Sequence, residues 1–245
     1  MGEALASKQS WSNSRSQFVM DQYAYPGVML ADSFNKATNT WIAYGASGAG
    51  TGSISPSFNS VGNSDDYSLK VTANANSRFM AVRKFDITAG KKLAFNGFFS
   101  YDSPVNVAYI NIEMWWRDVD HGYTHIAAYR YSTYWNRWEY LPSTATTTVG
   151  AWNALGGGTT TMASGAGTWH ELYYDADFGN NNYDEMFSGQ LGYCTNLGNG
   201  LSNLSIPIPA ETTEAQRMEL RLGLETTASG AGNAYFDDVT VFEVD

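Results

Sequence analysis

Apolar and polar residues alternate with a period of two along most of this chain. In "AYINIEMWW", Ala108, Ile110, Ile112, Met114 and Trp116 alternate with Tyr109, Asn111, Glu113 and Trp115. In "MELRLGLE", Met218, Leu220, Leu222 and Leu224 alternate with Glu219, Arg221, Gly223 and Glu225. "HELYYDADF" places His170, Leu172, Tyr174, Ala176 and Phe178 on one face, and "RFMAVRKFDI" runs through Phe79, Ala81, Phe85 and Ile87. This is the pattern of half-buried antiparallel strands. Further strands are predicted in "YSLKVTA", "KLAFNGFFSY", "HIAAYRYS", "RWEYL" and the closing "NAYFDDVTVFEVD".

Turn chemistry separates them: "GASGAGTGS", "NSVGNSDD", "TAGKK", "FGNNN", "ETTASGAGN". The stretch 142–168 is rich in Thr, Gly and Ala and reads as a long loop around one short strand near "AWNAL". Only the first twenty residues and "AETTEAQR" suggest helix. Ten or more strands with almost no helix predict an all-β, two-sheet antiparallel sandwich or jelly roll over residues 30–245. Residues 1–29 read differently, rich in Ser, Gln and Asn, with Ala4, Trp11, Phe18 and Tyr25 spaced every seven. They form a loose helix, a frayed tail, or an extended arm anchored on a partner through Trp11, Phe18 and Tyr25.

The closing run poses a problem of its own. Asp237 and Asp238 are adjacent in an otherwise buried strand, and alternation sends one carboxylate to each face. One charge is therefore aimed at the core and needs a partner.

Charge narrows the function. The net charge of -10 argues against nucleic acid, which requires a basic stripe, and against anionic membrane surfaces. It suits neutral glycans, cations and protein partners. No apolar run approaches the ~20 residues of a membrane span. The single cysteine, Cys194, forms no intrachain disulfide, and "MGEALASKQSWSNSRSQF" lacks the apolar stretch of an export signal.

Several segments carry a resemblance. "LADSFNKATNTWIAYG" resembles the opening strand of concanavalin-like and laminin-G-like sandwiches and of jelly-roll carbohydrate-binding modules. "DDYSLKVTA", "AYRYSTYWNRWEYL", "GTWHELYYDADF" and "AYFDDVTVFEV" resemble their later strands, in the same order. With its arm and without an export signal, the chain also looks like surface proteins of tailed phages, as in capsid decoration or head and tail fibres. That resemblance implies a non-catalytic structural or binding protein on a virion assembled in the host cytoplasm. Its partners would be other virion proteins through the arm, cell-surface glycans, and further copies in a homo-oligomer or symmetric assembly. The alternatives are a free, extracellular carbohydrate-binding module, or a glycan hydrolase or lyase on the same fold.

In the resembling modules a closing-strand aspartate helps bind structural calcium beside the first strand. Carried over, the ligands are Asp32, Asn35, Asp237 and Asp238, with Asn35 standing where the family more often has Glu. The alternative is a solvated aspartate at a sheet edge or a pairing with arginine.

Other chemistry is weakly signalled. His121 and His125 form H-x-x-x-H, but four strand residues span ~13 Å, too far to chelate one ion. Glu171, Asp175 and Asp177 share a strand face that departs from the E-x-D-x-x-E of the sandwich glycosidases and reads as an acidic, solvated surface. No G-x-S-x-G elbow is present.

Aromatic residues are the stronger lead. Tyr134 and Trp135 fall at the predicted tip of "YSTYWNRWEY", where exposed rings imply a stacked sugar or a neighbouring subunit. Trp115 and Tyr109 lie on the polar face of their strand beside Asn111 and Arg117. That face is either a glycan platform or is covered by other parts of the chain, the latter being favoured for Trp115 and Trp138.

Overall fold

The computed structural model describes residues 27–34, 40–45, 50–59, 61–63, 66–87, 91–118, 123–142, 152–155, 161–180, 182–188, 192–195, 202–204 and 217–244. They form sixteen strands and no helix. In chain order these are β1 (Val28–Asp32), β2 (Ile42–Gly45), β3 (Gly52–Asn59), β4 (Tyr67–Ala73), β5 (Arg78–Asp86), β6 (Lys92–Tyr101), β7 (Val107–Asp118) and β8 (Tyr123–Ser132). There follow β9 (Arg137–Tyr140), β10 (Asn153–Ala154), β11 (His170–Asp177), β12 (Asn182–Ser188), β13 (Gly192–Thr195), β14 (Ser202–Leu204), β15 (Arg217–Thr226) and β16 (Gly232–Glu243).

Two antiparallel sheets result. The first runs β13-β12-β11-β6-β16-β4-β3, with β1 also paired to β16. The second runs β10-β9-β8-β7-β15-β5-β2, with β14 also paired to β8. The central neighbours in each sheet are distant in sequence, as in β6-β16-β4 and β7-β15-β5, while the outer strands pair with their chain neighbours, as in β11-β12-β13 and β7-β8-β9. Pairing at the centre of each sheet is therefore non-local, and the sheets stack through side chains of alternate residues. The predicted all-β sandwich is the fold, and the short strand near "AWNAL" is β10. Val28 and Met29, assigned by pattern to the arm, already belong to β1. The two helix-like windows lie outside the described residues, apart from Arg217, which opens β15.

The core follows from the period-two faces. Ile110, Ile112, Met114 and Trp116 of β7 and Met218, Leu220, Leu222 and Leu224 of β15 point between the sheets. They meet Phe95, Phe99, Tyr174, Phe236 and Val241 from the first sheet. Burying each such side chain contributes about 1.5–3 kcal/mol, so the aromatic layer dominates the packing. Tyr129 of β8 stands edge-on to Tyr174 and Tyr183, at 4.9 and 5.2 Å between ring centroids. Tyr183 also bolts the layers together: its hydroxyl accepts from the Ala128 amide at 2.8 Å and donates to the Leu141 carbonyl at 3.1 Å. Burial raises its phenol well above the ordinary range.

Candidate functional site

β8 and β9 are joined by residues 133–136, a four-residue hairpin loop. Asn136 closes it at φ 50°, a left-handed conformation that Asn tolerates. The loop is pinned from within and from the side. Trp135 N donates to Ser132 Oγ at 3.2 Å, the Thr133 amide to the Ala108 carbonyl at 3.0 Å, and Thr133 Oγ1 to the Val107 carbonyl at 2.6 Å. Its two central side chains nevertheless face solvent: Tyr134 is 75 % and Trp135 51 % exposed. The rings stand at right angles, 4.6 Å between centroids, and form an open corner.

From this corner a row of side chains crosses the outward face of the second sheet. Arg137, Ser132, Tyr109, Glu225 and Arg78 are successive cross-strand partners on β9, β8, β7, β15 and β5. Five strands span roughly 19 Å at the usual spacing. Behind this row the face is a charged lattice. Arg78 pairs with Glu113 and Glu225; Arg130 with Glu139 and Glu225; Arg137 with Glu139; and Glu219 with Arg117, Arg221 and Lys84. Arginine planes lie on aromatic faces: Arg130 is 3.8 Å from the Tyr109 ring and 4.5 Å from Trp152, and Arg221 is 3.6 Å from Trp115 and 4.7 Å from Tyr44.

This lattice decides the position of the predicted platform. Tyr109 is half-buried beneath Arg130. Trp115 is only 5 % exposed, packed with Ile126, Ala128, Leu141 and Trp152, and its indole donates to Glu113 at 2.7 Å. The covered-face alternative therefore holds for Trp115 and for buried Trp138, and of the four predicted contact residues only Tyr134 and Trp135 are fully presented. Sequence reading did not single out Arg130, Arg137 or Arg221. Their signal was the alternation of "HIAAYRYS", "RWEY" and "ELRLGLE", which sets them on the same outward face as Trp115.

Burial and guanidinium partners compete at these carboxylates. Burial raises the Glu219 carboxyl, but Arg221 and Arg117 more than offset it and leave it below the ordinary range. At Glu225 burial wins over Arg78 and Arg130, and its carboxyl lies above that range.

On the first sheet, the closing strand departs from strict alternation. Its register shifts between Asp237 and Thr240, and Asp238 adopts φ 47°. This bulge turns both carboxylates to the same residue, contrary to the expectation of one per face. Asp237 accepts from the Asn63 amide at 2.6 Å and from the Asp238 amide at 2.8 Å; Asp238 accepts from Asn63 Nδ2 at 3.1 Å. Both aspartates are buried. Asp32 faces elsewhere, accepting from the Phe34 amide at 2.9 Å and the Trp41 indole at 2.8 Å.

The calcium expectation meets this geometry directly. Asp32, Asp237 and Asp238 carry N–H donors aimed at their oxygens, the arrangement of a hydrogen-bonded staple and a poor fit to a cation cage, whose ligands must turn lone pairs inward. Among the described residues no three His, Cys, Asp or Glu side chains group to hold a metal. Asn35 lies outside the described residues, as do the arm residues Trp11, Phe18 and Tyr25.

The remaining acidic candidates separate. Asp175 is buried, not solvated as its sequence face suggested: it accepts from the Glu185 amide at 2.6 Å and pairs with Lys92 at 3.3 Å. Burial raises its carboxyl against the pull of Lys92. Asp177 caps the following turn, accepting from Asn180. His121 lies outside the described residues, and His125 stacks on Trp116 at 4.7 Å.

No family model matches the chain, and no curated protein matches it. Solved structures share the sandwich at low identity. A "Cellulose induced protein, Cip1" aligns at 12 % identity and TM-score 0.48, covering 86 % of this chain and 96 % of that one. A Bacillus licheniformis beta-glucanase aligns at 11 % and 0.47, covering 90 % and 99 %. A carbohydrate-binding module of the beta-sandwich superfamily aligns at 12 % and 0.45, covering 89 % and 62 %. Similarity at this level carries no argument about activity, which rests here on the residues.

Proposed function

We propose that this chain is a non-catalytic carbohydrate-binding sandwich that meets its glycan at the Tyr134–Trp135 corner. The observation that carries the reading is the exposure of both rings, 75 % and 51 %, on a loop whose backbone is pinned to β7. Large apolar rings at a surface are informative when a rigid frame holds them there. Little ordering entropy is lost when a sugar's C–H face settles on them. The glutamates of the neighbouring face support a binding role, because Glu113, Glu139 and Glu219 are committed to guanidinium partners.

The test is a polysaccharide panel read by Trp fluorescence and calorimetry. Trp135→Ala is expected to weaken binding at least about tenfold, a loss of roughly 1.4 kcal/mol. Flat binding across the panel with unmoved fluorescence would remove the proposal. The setting on an assembled particle, most simply a phage virion, belongs to the same proposal, with the residues ahead of β1 as anchor. Deleting residues 1–26 should abolish incorporation into the particle and leave glycan affinity intact.

One observation favours a second reading, a glycan hydrolase or lyase. Glu113 and Glu225 share Arg78, and Glu225 is held with a raised carboxyl, as a general acid would be. Turnover of any panel member that is lost in Glu225→Gln would establish it; an inactive panel retires it.

A further inference from the structure

The glycan is acidic: we infer that the Tyr134–Trp135 corner takes a sugar bearing a carboxylate or sulfate, whose charge is met by Arg137. This deepens the binding reading above and rests on it.

The first support is a charge inversion. The whole chain carries -10. Yet the outward face of the second sheet sets six cations (Arg78, Lys84, Arg117, Arg130, Arg137, Arg221) against the four glutamates they pair with. Asp86, at the end of β5 on the same face, adds one acid. Among the described side chains one positive charge remains in surplus. An acidic polymer is repelled by most of this molecule and attracted here, which selects the face as well as the ligand.

The second support is the geometry of Arg137. Its Nε and Nη2 both donate to Glu139 Oε1, at 2.9 and 2.7 Å, so one edge of the guanidinium is fixed. Nη1 makes no bond within the described residues, and the side chain is 34 % exposed. The guanidinium carbon lies 5.4 Å from the Trp135 ring centroid. A sugar resting at the corner therefore brings its ring substituents to a pre-oriented, charged donor. The planar fork suits carboxylate and sulfate oxygens, and such charge-assisted bonds are about twice as strong as those to a neutral hydroxyl. Glu139 keeps Arg130 as a second partner at 2.7 Å, so Arg137 can turn its free edge outward without stranding a buried carboxylate.

The experiment uses the full chain and three polymer classes: polyuronates of different stereochemistry, the same polyuronates with carboxyls reduced to primary alcohols, and sulfated galactans. We expect at least one acidic polymer to bind about tenfold or more tighter than its uncharged counterpart. The gap should shrink when salt is raised from about 50 to about 500 mM, since the contact is only partly buried. Arg137→Gln should bring acidic and uncharged polymers to within about threefold of each other. Tight binding of polyuronates alone, or of sulfated galactans alone, supports the inference and identifies the anion. Equal affinity of wild-type protein for acidic and reduced polymers overturns it and leaves the glycan reading standing. If no polymer binds, charged or neutral, both readings fall. The wild-type comparison needs no variant, so a poorly folding Arg137→Gln would not shield the inference.

Discussion

On the first sheet, the buried carboxylates of Asp175, Asp237 and Asp238 accept backbone and amide N–H bonds; on the second, those of Glu113, Glu139 and Glu219 meet guanidinium groups. Asp237 and Asp238 are held by Asn63 and by the bulge itself, and Asp175 by the Glu185 amide with help from Lys92. Glu113, Glu139 and Glu219 are held by Arg78, Arg130, Arg137, Arg117 and Arg221. Dipoles satisfy a carboxylate and leave its charge in place. Guanidiniums neutralise it and, when in excess, invert the sign of the face. The first arrangement is a local staple, and the second is a surface with a charge preference.

The comparison breaks most sharply at Glu219. Glu219→Gln leaves Arg117 and Arg221 without their shared counter-charge in a buried setting. Removing one partner of such a group costs about 3–5 kcal/mol, to be read from urea unfolding. Asp237→Ala removes one acceptor of two N–H groups and is expected to cost less, about 1–3 kcal/mol by the same measurement. If the two losses come out equal, the distinction between lattice and staple fails.

The pH dependence sharpens it further. Glu219 has a lowered carboxyl, so its contribution is full above its ordinary 4.5 and is lost as pH falls through its lowered folded value. Glu225 and Asp175 are raised, so their contributions run the other way: present below their ordinary 4.5 and 3.8, lost as pH rises through their raised folded values. Chemical denaturation against pH should show stability rising on mild acidification and falling only further down. Glu225→Gln should flatten the rise, and Glu219→Gln the fall. The smallest effect is expected from calcium: added to chelator-treated protein, it should move Tm by less than about 1 °C, since N–H donors already serve these oxygens. A rise of several degrees would put a cation beside Asp237 and restore the ion-bound reading of the closing strand.

The strands were legible because alternation is a local property. β4, β7, β11, β15 and β16 follow from residues that a reader can count. The tip was legible for the same reason, since "YSTYWNRWEY" places two rings between paired strands. The aspartate pair was misread because one backbone angle overrules the count. At φ 47° Asp238 breaks the period, and nothing local in "FDDV" forces it. Asn63 lies 174 residues from Asp237 along the chain, beyond any periodicity. Burial of Asp175 was hidden likewise, because it depends on Lys92 of β6 and the Glu185 amide of β12, on the two strands that flank β11. The arginine lattice was half visible. Each charge sits at an outward position, but their mutual pairing follows from the order β9-β8-β7-β15-β5, which no single strand contains.

The backbone anchoring of residues 133–136 has a consequence for how this molecule can change. Ser132, Thr133 and Asn136 set the bend, while among the described residues Tyr134 and Trp135 make no side-chain hydrogen bond or ring contact beyond each other and the Arg137 plane. On those contacts the two sites are expected to tolerate exchange with little penalty to folding, within about 0.5 kcal/mol. The hairpin is thus a grafting point: its ligand preference can drift, or be rewritten by design, while the sandwich beneath it stays constant.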